Sequence, residues 1–170
     1  MGQSNIINVF FEHPTKDFQI RGIAKSLKIP KTTVSYHINS FLKEKLITKR
    51  KKGVFPSFIA NESNEIYRFR KREGSIKNIM ESGLLDYIEK EVNPRCIILF
   101  GSFAKAEYDV KSDMDIFVQA RDCSLDLDKF EKKLKHKINI FFEADLGKLS
   151  PELFNNIVNG IKLRGFLKIK

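Results

Sequence analysis

Long apolar runs are missing from this 170-residue sequence. No stretch approaches the roughly 20 consecutive apolar residues that a membrane-spanning helix needs, so we expect no membrane partner. The opening residues, MGQSNIINVFFEHP, have no basic region ahead of their apolar residues. We therefore expect no secretory signal and a cytoplasmic location.

Cysteine and histidine are also scarce. The two cysteines, Cys96 and Cys123, provide neither a disulfide framework nor the spacing of a metal finger, and we interpret both as reduced thiols in the core. The three histidines, His13, His37 and His136, are scattered and show no metal-ligand spacing, so we interpret them as structural or surface residues.

Positive charge is in excess, and it is unevenly distributed. Residues 1–73 carry 15 Lys and Arg against 6 Asp and Glu, a net charge of +9, whereas residues 74–170 carry 16 against 15, a net charge of +1. A basic N-terminal segment suggests a polyanionic partner, most simply nucleic acid. The alternative is a basic surface that only confers solubility.

Residues 1–61 predict three helices followed by a β-hairpin. Apolar residues recur at helical spacing over residues 3–12, 20–27 and 31–45, and residues 46–55 predict a strand, a basic turn and a returning strand. This order is typical of a winged helix-turn-helix domain, in which the third helix enters the DNA major groove and the hairpin lies along the phosphates.

Candidate DNA contacts lie on the predicted third helix and in the hairpin. Val34, Ile38 and Phe41 form the inward face of that helix, which leaves its polar residues outward. A helical hairpin without a nucleic-acid role is the alternative. The predicted contacts are Lys31, Thr32, Thr33, Ser35 and Tyr36 from the helix, and Lys49, Arg50, Lys51 and Lys52 from the hairpin.

A polar helical segment, residues 62–74, is interpreted as a linker to a second domain at residues 75–170. Ile66 and Phe69 are its apolar positions. A helix is predicted over residues 75–91, with Met80 in its core stripe and Gly83 weakening its middle. The remaining elements predict an α/β (α+β) chain, in which a winged helix precedes a mixed sheet flanked by helices.

The stretch Cys96–Val118 contains the residues that could bind a metal ion or take part in a reaction. After an apolar strand and the pair Gly101-Ser102, the run Ser112-Asp113-Met114-Asp115 opens a second strand. Because side chains alternate across a strand, Asp113 and Asp115 point the same way. Two adjacent carboxylates repel each other unless a cation lies between them, and such hard oxygen ligands suit Mg²⁺.

The Gly101-Ser102 pair supplies the second half of this predicted site. If the pair opens a helix, it presents backbone N–H groups to an anion. A phosphate site beside a divalent-metal site is what phosphoryl or nucleotidyl transfer requires. The alternative interpretation of the two aspartates is solvent-facing charge on an edge strand.

Gly101-Ser102 followed by Ser112-Asp113-Met114-Asp115-Ile116 resembles the signature of the polymerase-beta-like nucleotidyltransferase superfamily. The stretch also resembles the minimal nucleotidyltransferases of archaea and bacteria. Nearly all of the chain resembles archaeal proteins that join such a domain to an N-terminal winged helix. The resemblance implies that Asp113 and Asp115 are catalytic and bind Mg²⁺. It also implies that Gly101, Ser102 and Ser112 contact a nucleoside triphosphate.

The sequence departs from this superfamily at a third carboxylate, which relatives take from the next strand. The matching position is Asn139, and an amide cannot act as a general base. Glu143 shares its face but lies about 13 Å further along, so it could replace the acid only if the strand bends or bulges. Ala106 stands where relatives often have glycine.

Two functions therefore remain open. The first is a Mg²⁺-dependent transferase that moves a nucleotidyl group from a nucleoside triphosphate to an acceptor hydroxyl; some relatives modify a partner toxin, so the acceptor could be a protein. The second is a transcriptional regulator whose C-terminal domain binds nucleotide or a partner without turnover. Asn139 favours the second. Winged helices commonly read two half-sites as a dimer, so a homodimer is compatible with either function.

Overall fold

The computed structural model describes residues 2–51 and 54–167, with side chains from Asn5 onward. Contacts divide the chain into two compact units, Met1–Lys71 and Arg72–Lys170. The division falls inside the segment that the sequence predicts as a linker. Within the described ranges, no helix combines the length and the apolar character needed to cross a membrane.

Before a fourth helix begins at Glu65, the described residues of the first unit form three helices followed by a two-stranded antiparallel sheet. Ile47 pairs with Ala60 and Arg50 with Ser57, and Phe18 adds a single bridge to the second strand. Apolar side chains from all these elements are buried together. The elements are α1 (Gly2–Glu12), α2 (Ile20–Leu27), α3 (Lys31–Lys43), β1 (Ile47–Arg50) and β2 (Ser57–Ala60).

The sequence predicted two of these boundaries wrongly. Helix α3 ends at Lys43 because Lys45 adopts a positive φ of 57° and the Leu46 N–H returns to the Phe41 carbonyl at 2.9 Å. The returning strand begins at Ser57, after a bend, rather than before residue 55. The predicted DNA contact at residue 52 lies outside the described residues.

Helix α4 (Glu65–Ser82) runs through the position where the sequence predicted a new helix to begin. The predicted start at residue 75 is therefore wrong, and the break comes at Gly83 instead. Gly83 has a φ of +84°, in the left-handed region that glycine favours. It separates α4 from α5 (Leu84–Val92) rather than weakening the middle of one helix.

The buried face of α4 also differs from the prediction. Ile66 and Phe69 are 52% and 59% exposed, and Met80 is half-exposed. Every fourth residue from Tyr67 to Ile79 is buried instead, including a lysine and a serine. The spacing of apolar residues in the sequence could not indicate this buried face of α4, because two of these four buried residues are polar.

In the described part of the second unit, a four-stranded mixed sheet is flanked by helices. The strand order is β5-β4-β3-β6, with β4 and β5 parallel and β3 antiparallel to both of its neighbours. The strands are β3 (Cys96–Phe100), β4 (Met114–Val118), β5 (Ile138–Phe142) and β6 (Ile161–Gly165). The helices after α5 are α6 (Gly101–Lys105), α7 (Asp128–Leu134), a short 3-10 helix (Leu146–Lys148) and α8 (Pro151–Val158).

One face of this sheet carries both a core and a polar end. Cys96, Ile98, Phe100, Phe117 and Ile157 form a buried cluster. The core position predicted for Cys96 is therefore confirmed, whereas the one predicted for Cys123 is wrong, because Cys123 lies exposed after β4. The Ser150 hydroxyl caps the start of α8, since it accepts the Leu153 N–H at 3.2 Å. Asp115 shares the face of Phe117 because the two residues are two apart on β4. The core therefore ends where the acidic residues begin.

Candidate active site

Strand register brings the acidic residues next to β3 and β5. Asp115 lies opposite Phe100 on β3 and beside Asn139 on β5, and Asp113 directly precedes β4. Met114 between them is buried, whereas Asp113 is exposed and Asp115 is half-buried. The two-residue period of the strand therefore turns both carboxylates to one side.

Asn139 bridges the two carboxylates. Its Nδ2 atom donates to Asp113 Oδ2 at 3.4 Å and to Asp115 Oδ1 at 3.2 Å. A neutral donor between two carboxylates offsets part of their mutual repulsion. The same amide also carries an acceptor oxygen, so rotation about its last torsion would present an oxygen ligand to a cation.

Gly101 leaves the space in which the Asp115 carboxylate lies. A Cβ atom added at Gly101 would overlap Asp115 Oδ2 and would lie 3.3 Å from its Cγ. Gly101 also has a φ of +69°. Gly101 and Ser102 begin α6, and the first N–H groups of a helix have no acceptor within it. The structure thus brings the predicted phosphate turn against the acidic pair.

A tight turn before Asp113 fixes the chain on its other side. The Asp109 N–H donates to the Ser112 hydroxyl at 2.9 Å, and the Lys111 N–H donates to Asp109 Oδ1 at 2.8 Å. The Lys111 N–H and then the Ser112 hydroxyl hold the pKa of Asp109 below its usual value. Ser112 therefore has a structural role here, and its contact with nucleotide stays a prediction.

His136 is a site-supporting residue that the sequence did not single out. Its ring is buried, and its Nδ1 atom lies 2.9 Å from the Ser112 carbonyl oxygen, directly before Asp113. The ring packs edge-on against Phe103 of α6, with centroids 4.9 Å apart. A lone histidine carries no periodic signal, so only the tertiary structure reveals this link between α6 and the acidic pair.

Glu131 anchors the start of β5 in a similar way. Its Oε1 atom accepts the Ile138 N–H at 3.0 Å, and its Oε2 atom accepts from Lys137 Nζ at 2.6 Å. The bond from Lys137 lowers the pKa of Glu131, and the same bond raises the pKa of Lys137. These two bonds fix the position of the first residues of β5, the strand that carries Asn139.

Glu143 does not supply the third acid. Strand β5 stays in register with β4 from Ile138 to Phe142, without the bend that Glu143 would need. The Glu143 carboxylate instead accepts the Asp145 N–H at 2.9 Å. Over residues 2–51 and 54–167, no three His, Cys, Asp or Glu side chains are grouped to share a metal ion.

The donor set nevertheless suits one magnesium ion. Mg²⁺ is usually bound by one or two carboxylates together with substrate phosphates, and it retains several waters. Asp113 and Asp115 provide two carboxylates, and Asn139 can add an amide oxygen. The residues present therefore fit a single ion that a triphosphate helps to bind, and not a site enclosed by protein ligands alone.

The predicted DNA contacts lie in the first unit and are open to solvent where described. Tyr36 is 72% exposed. Lys31 and Thr32 on α3, together with Lys49, Arg50 and Lys51, are exposed, and Thr33 and Ser35 are half-exposed. Exposure is compatible with a DNA contact, which stays a prediction for all of these residues.

Replacing Gly101 with alanine tests the close approach of the phosphate turn. We expect Gly101→Ala to lower the free energy of unfolding, because a side chain at positive φ costs about 1–2 kcal/mol and its Cβ displaces the Asp115 carboxylate. Gly22→Ala is the matched control, since a Cβ there meets nothing within 4 Å and α2 should gain about 0.5–1 kcal/mol. Chemical denaturation measures both; equal effects would mean that Gly101 is not confined by Asp115.

The comparisons with known proteins agree with this geometry. Residues 83–163 match the family model described as polymerase beta, nucleotidyltransferase, a match that covers just under half of the chain and spans the acidic pair. The comparison with curated proteins found no match. The sequence prediction of a nucleotidyltransferase-like domain is confirmed at the level of this match over residues 83–163.

Proposed function

We propose that the second unit catalyses Mg²⁺-dependent transfer of a nucleotidyl group from a nucleoside triphosphate to an acceptor hydroxyl. The observation that carries this proposal is the convergence of Asp113, Asp115 and the Gly101 turn at one end of the sheet. The match of residues 83–163 to a nucleotidyltransferase family supports the reaction class. In this reaction the acceptor oxygen bonds to the α-phosphorus, and pyrophosphate leaves.

Each residue of the site has a distinct part in this proposal. Asp113 and Asp115 would hold the ion, and Gly101 and Ser102 would donate backbone N–H groups to phosphate oxygens. A bound Mg²⁺ would neutralise phosphate charge and orient the leaving group. Asn139 would keep the carboxylates in place before the ligand arrives, because it already donates to both.

Removal of the proton from the acceptor hydroxyl is the step at which we expect this chain to differ from the superfamily that it resembles. Asn139 cannot accept it, so the proton must pass to Asp113, Asp115 or solvent. We therefore expect slow transfer. The same observation favours a second candidate function, in which the domain binds metal and nucleotide without turnover and acts as a regulatory module.

We further propose that the first unit is a winged helix that binds DNA. Three observations support this proposal: the order of three helices and an antiparallel hairpin, the exposure of the polar face of α3, and the net charge of +9 over residues 1–73. Basic side chains concentrated in one module neutralise phosphates and release counterions. A DNA-bound transferase and a DNA-bound regulator would both need this unit.

The first test is ligand-dependent stability. We expect Mg²⁺ with a nucleoside triphosphate to raise the unfolding temperature, because a ligand at 100 times its Kd adds about 2.7 kcal/mol to the stability of the native state. Asp113→Asn with Asp115→Asn should abolish the shift by removing both charges. Asp122→Asn with Asp126→Asn is a matched control, because it removes two charges from an exposed loop of the same unit. A shift that survives in the first pair would locate the ligand elsewhere.

The second test restores the missing acid. We expect Asn139→Asp to raise transfer of an α-³²P-labelled nucleotide by about 10²- to 10⁴-fold, the usual contribution of a general base. Asn155→Asp adds the same charge on an exposed position of α8 and should change nothing. Without Mg²⁺, Asn139→Asp should unfold at lower temperature, because a third carboxylate replaces the bridging donor.

An unchanged transfer rate in Asn139→Asp, alongside strong wild-type activity, would contradict the role assigned to this position. A gain with the α label and none with a γ label would identify nucleotidyl rather than phosphoryl transfer. Continued absence of transfer, combined with an intact thermal shift, would favour the regulatory function.

The third test separates two kinds of DNA contact. Replacing Lys49, Arg50 and Lys51 with alanine should weaken binding to every duplex alike and should reduce the salt slope by up to about 0.9 per lost phosphate contact. Tyr36→Ala should instead reduce the preference for a specific site, by about 1–3 kcal/mol if it contacts a base. The measurement is a salt titration with duplexes from the upstream region of the gene and of random sequence.

The matched control for this test replaces Lys90, Lys132 and Lys148, three exposed lysines of the second unit, with alanine. It makes the same change in net charge and should leave the salt slope unchanged. Binding without salt dependence, or an equal loss in both triple variants, would contradict a DNA-binding role for the hairpin.

A further inference from the structure

Two phenylalanines form an aromatic ledge beside the acidic pair. Phe141 of β5 is 40% exposed, although it is a large apolar residue on a strand. Its ring meets Phe100 of β3 edge-on, with centroids 5.4 Å apart and planes inclined by 65°. Phe100 is itself buried in the core cluster, so it fixes one edge of the exposed ring. We call Phe100 and Phe141 the aromatic ledge.

The ledge lies on the same side of the sheet as the site. Phe141 is two residues beyond Asn139, so the two side chains share a face and their Cα atoms are about 7 Å apart. Asn139 bonds both carboxylates, and Phe100 directly precedes the Gly101 turn. The ledge is therefore continuous with both halves of the proposed triphosphate site.

We propose that the aromatic ledge binds the base of the nucleoside triphosphate, with Phe141 as the stacking residue. This inference rests on the proposed function, because it assumes that the phosphates lie between the acidic pair and the Gly101 turn. Along β5, two residues separate Asn139, next to the proposed phosphate site, from the ring of Phe141. The exposed ring of Phe141 would accommodate a planar, uncharged group of the ligand at this distance from the phosphates.

The chemistry of the surroundings favours a base over other ligand groups. Every nucleobase has a π-face, and stacking on an aromatic side chain is favourable for all of them. The contact with Phe100 holds the ring before the ligand arrives, which reduces the ordering cost of binding. A second phosphate or an acidic group would find no cation in these two side chains.

Phe166 offers a matched control within the same unit. It is 77% exposed and follows Gly165, which pairs with Cys96 at the end of β3 away from Phe100. Its ring lies 4.6 Å from Lys162 Nζ. Replacement of Phe166 therefore removes an exposed phenyl ring without touching the acidic pair.

The test compares nucleotide with triphosphate alone. Kd values are measured by calorimetry, with Mg²⁺, for each of the four nucleoside triphosphates and for inorganic tripolyphosphate. Phe141→Ala should weaken binding of every nucleotide by about 5- to 140-fold, the effect of losing one base–aromatic stack, and should leave tripolyphosphate unchanged. Phe141→Tyr should retain nucleotide affinity, Phe141→Leu should not, and Phe166→Ala should match the wild type.

Three results would overturn the inference, and they are distinguishable. Unchanged nucleotide affinity in Phe141→Ala removes the base contact but leaves the proposed function intact. Equal losses for nucleotide and tripolyphosphate show that the ring supports the site and does not bind the base. Failure of the wild-type protein to bind either ligand refutes the proposed function and the inference with it.

Discussion

Repulsion between the carboxylates of Asp113 and Asp115 is the constraint on which the arrangement of the candidate site depends. Two negative groups share one face of β4, and in the described structure the amide of Asn139 donates to both. The arrangement requires β5 to run beside β4 in one register and requires a residue without a side chain at position 101. A single residue slip of β5 would turn Asn139 to the opposite face.

The supporting contacts all act on the position of these two carboxylates. His136 bonds the carbonyl of Ser112, the turn at Asp109 closes just before Asp113, and Glu131 fixes the start of β5. Each of these contacts restricts the movement of the chain at the start of β4 or β5, the strands beside which the site residues lie. A metal–nucleotide complex would therefore meet carboxylates that are already oriented, which lowers the cost of binding.

The net charge differs between the two parts of the chain, and this difference supports the different ligands that we propose for them. Residues 74–170 carry a net charge of only +1, so attraction of a triphosphate there must come from local N–H groups and a cation rather than from a long-range field. Residues 1–73 carry +9, which suits long-range attraction to a polyanion. This division is consistent with a small-ligand site in one unit and a DNA surface in the other.

Local patterns in the sequence predicted the elements of the site, and long-range contacts account for what they missed. The two-residue period of a strand was sufficient to place Asp113 and Asp115 on one side, whereas Asn139 was assigned to the site through the resemblance to the superfamily. The roles of His136 and Phe141 depend on contacts between separate elements, for which a single sequence has no periodic signal. The buried face of α4 was also predicted wrongly from its apolar residues, because two of the residues buried on that face are polar.

A crystal structure of the protein with Mn²⁺ and a nucleoside triphosphate analogue that resists α–β cleavage would test the central claim most directly. We expect one anomalous manganese peak between the carboxylates of Asp113 and Asp115, with phosphate oxygens near the Gly101 and Ser102 N–H groups. Asn139 should then direct its oxygen toward the ion. A bound nucleotide with manganese at any other residues, or with both carboxylates still bonded only to Asn139, would contradict the account.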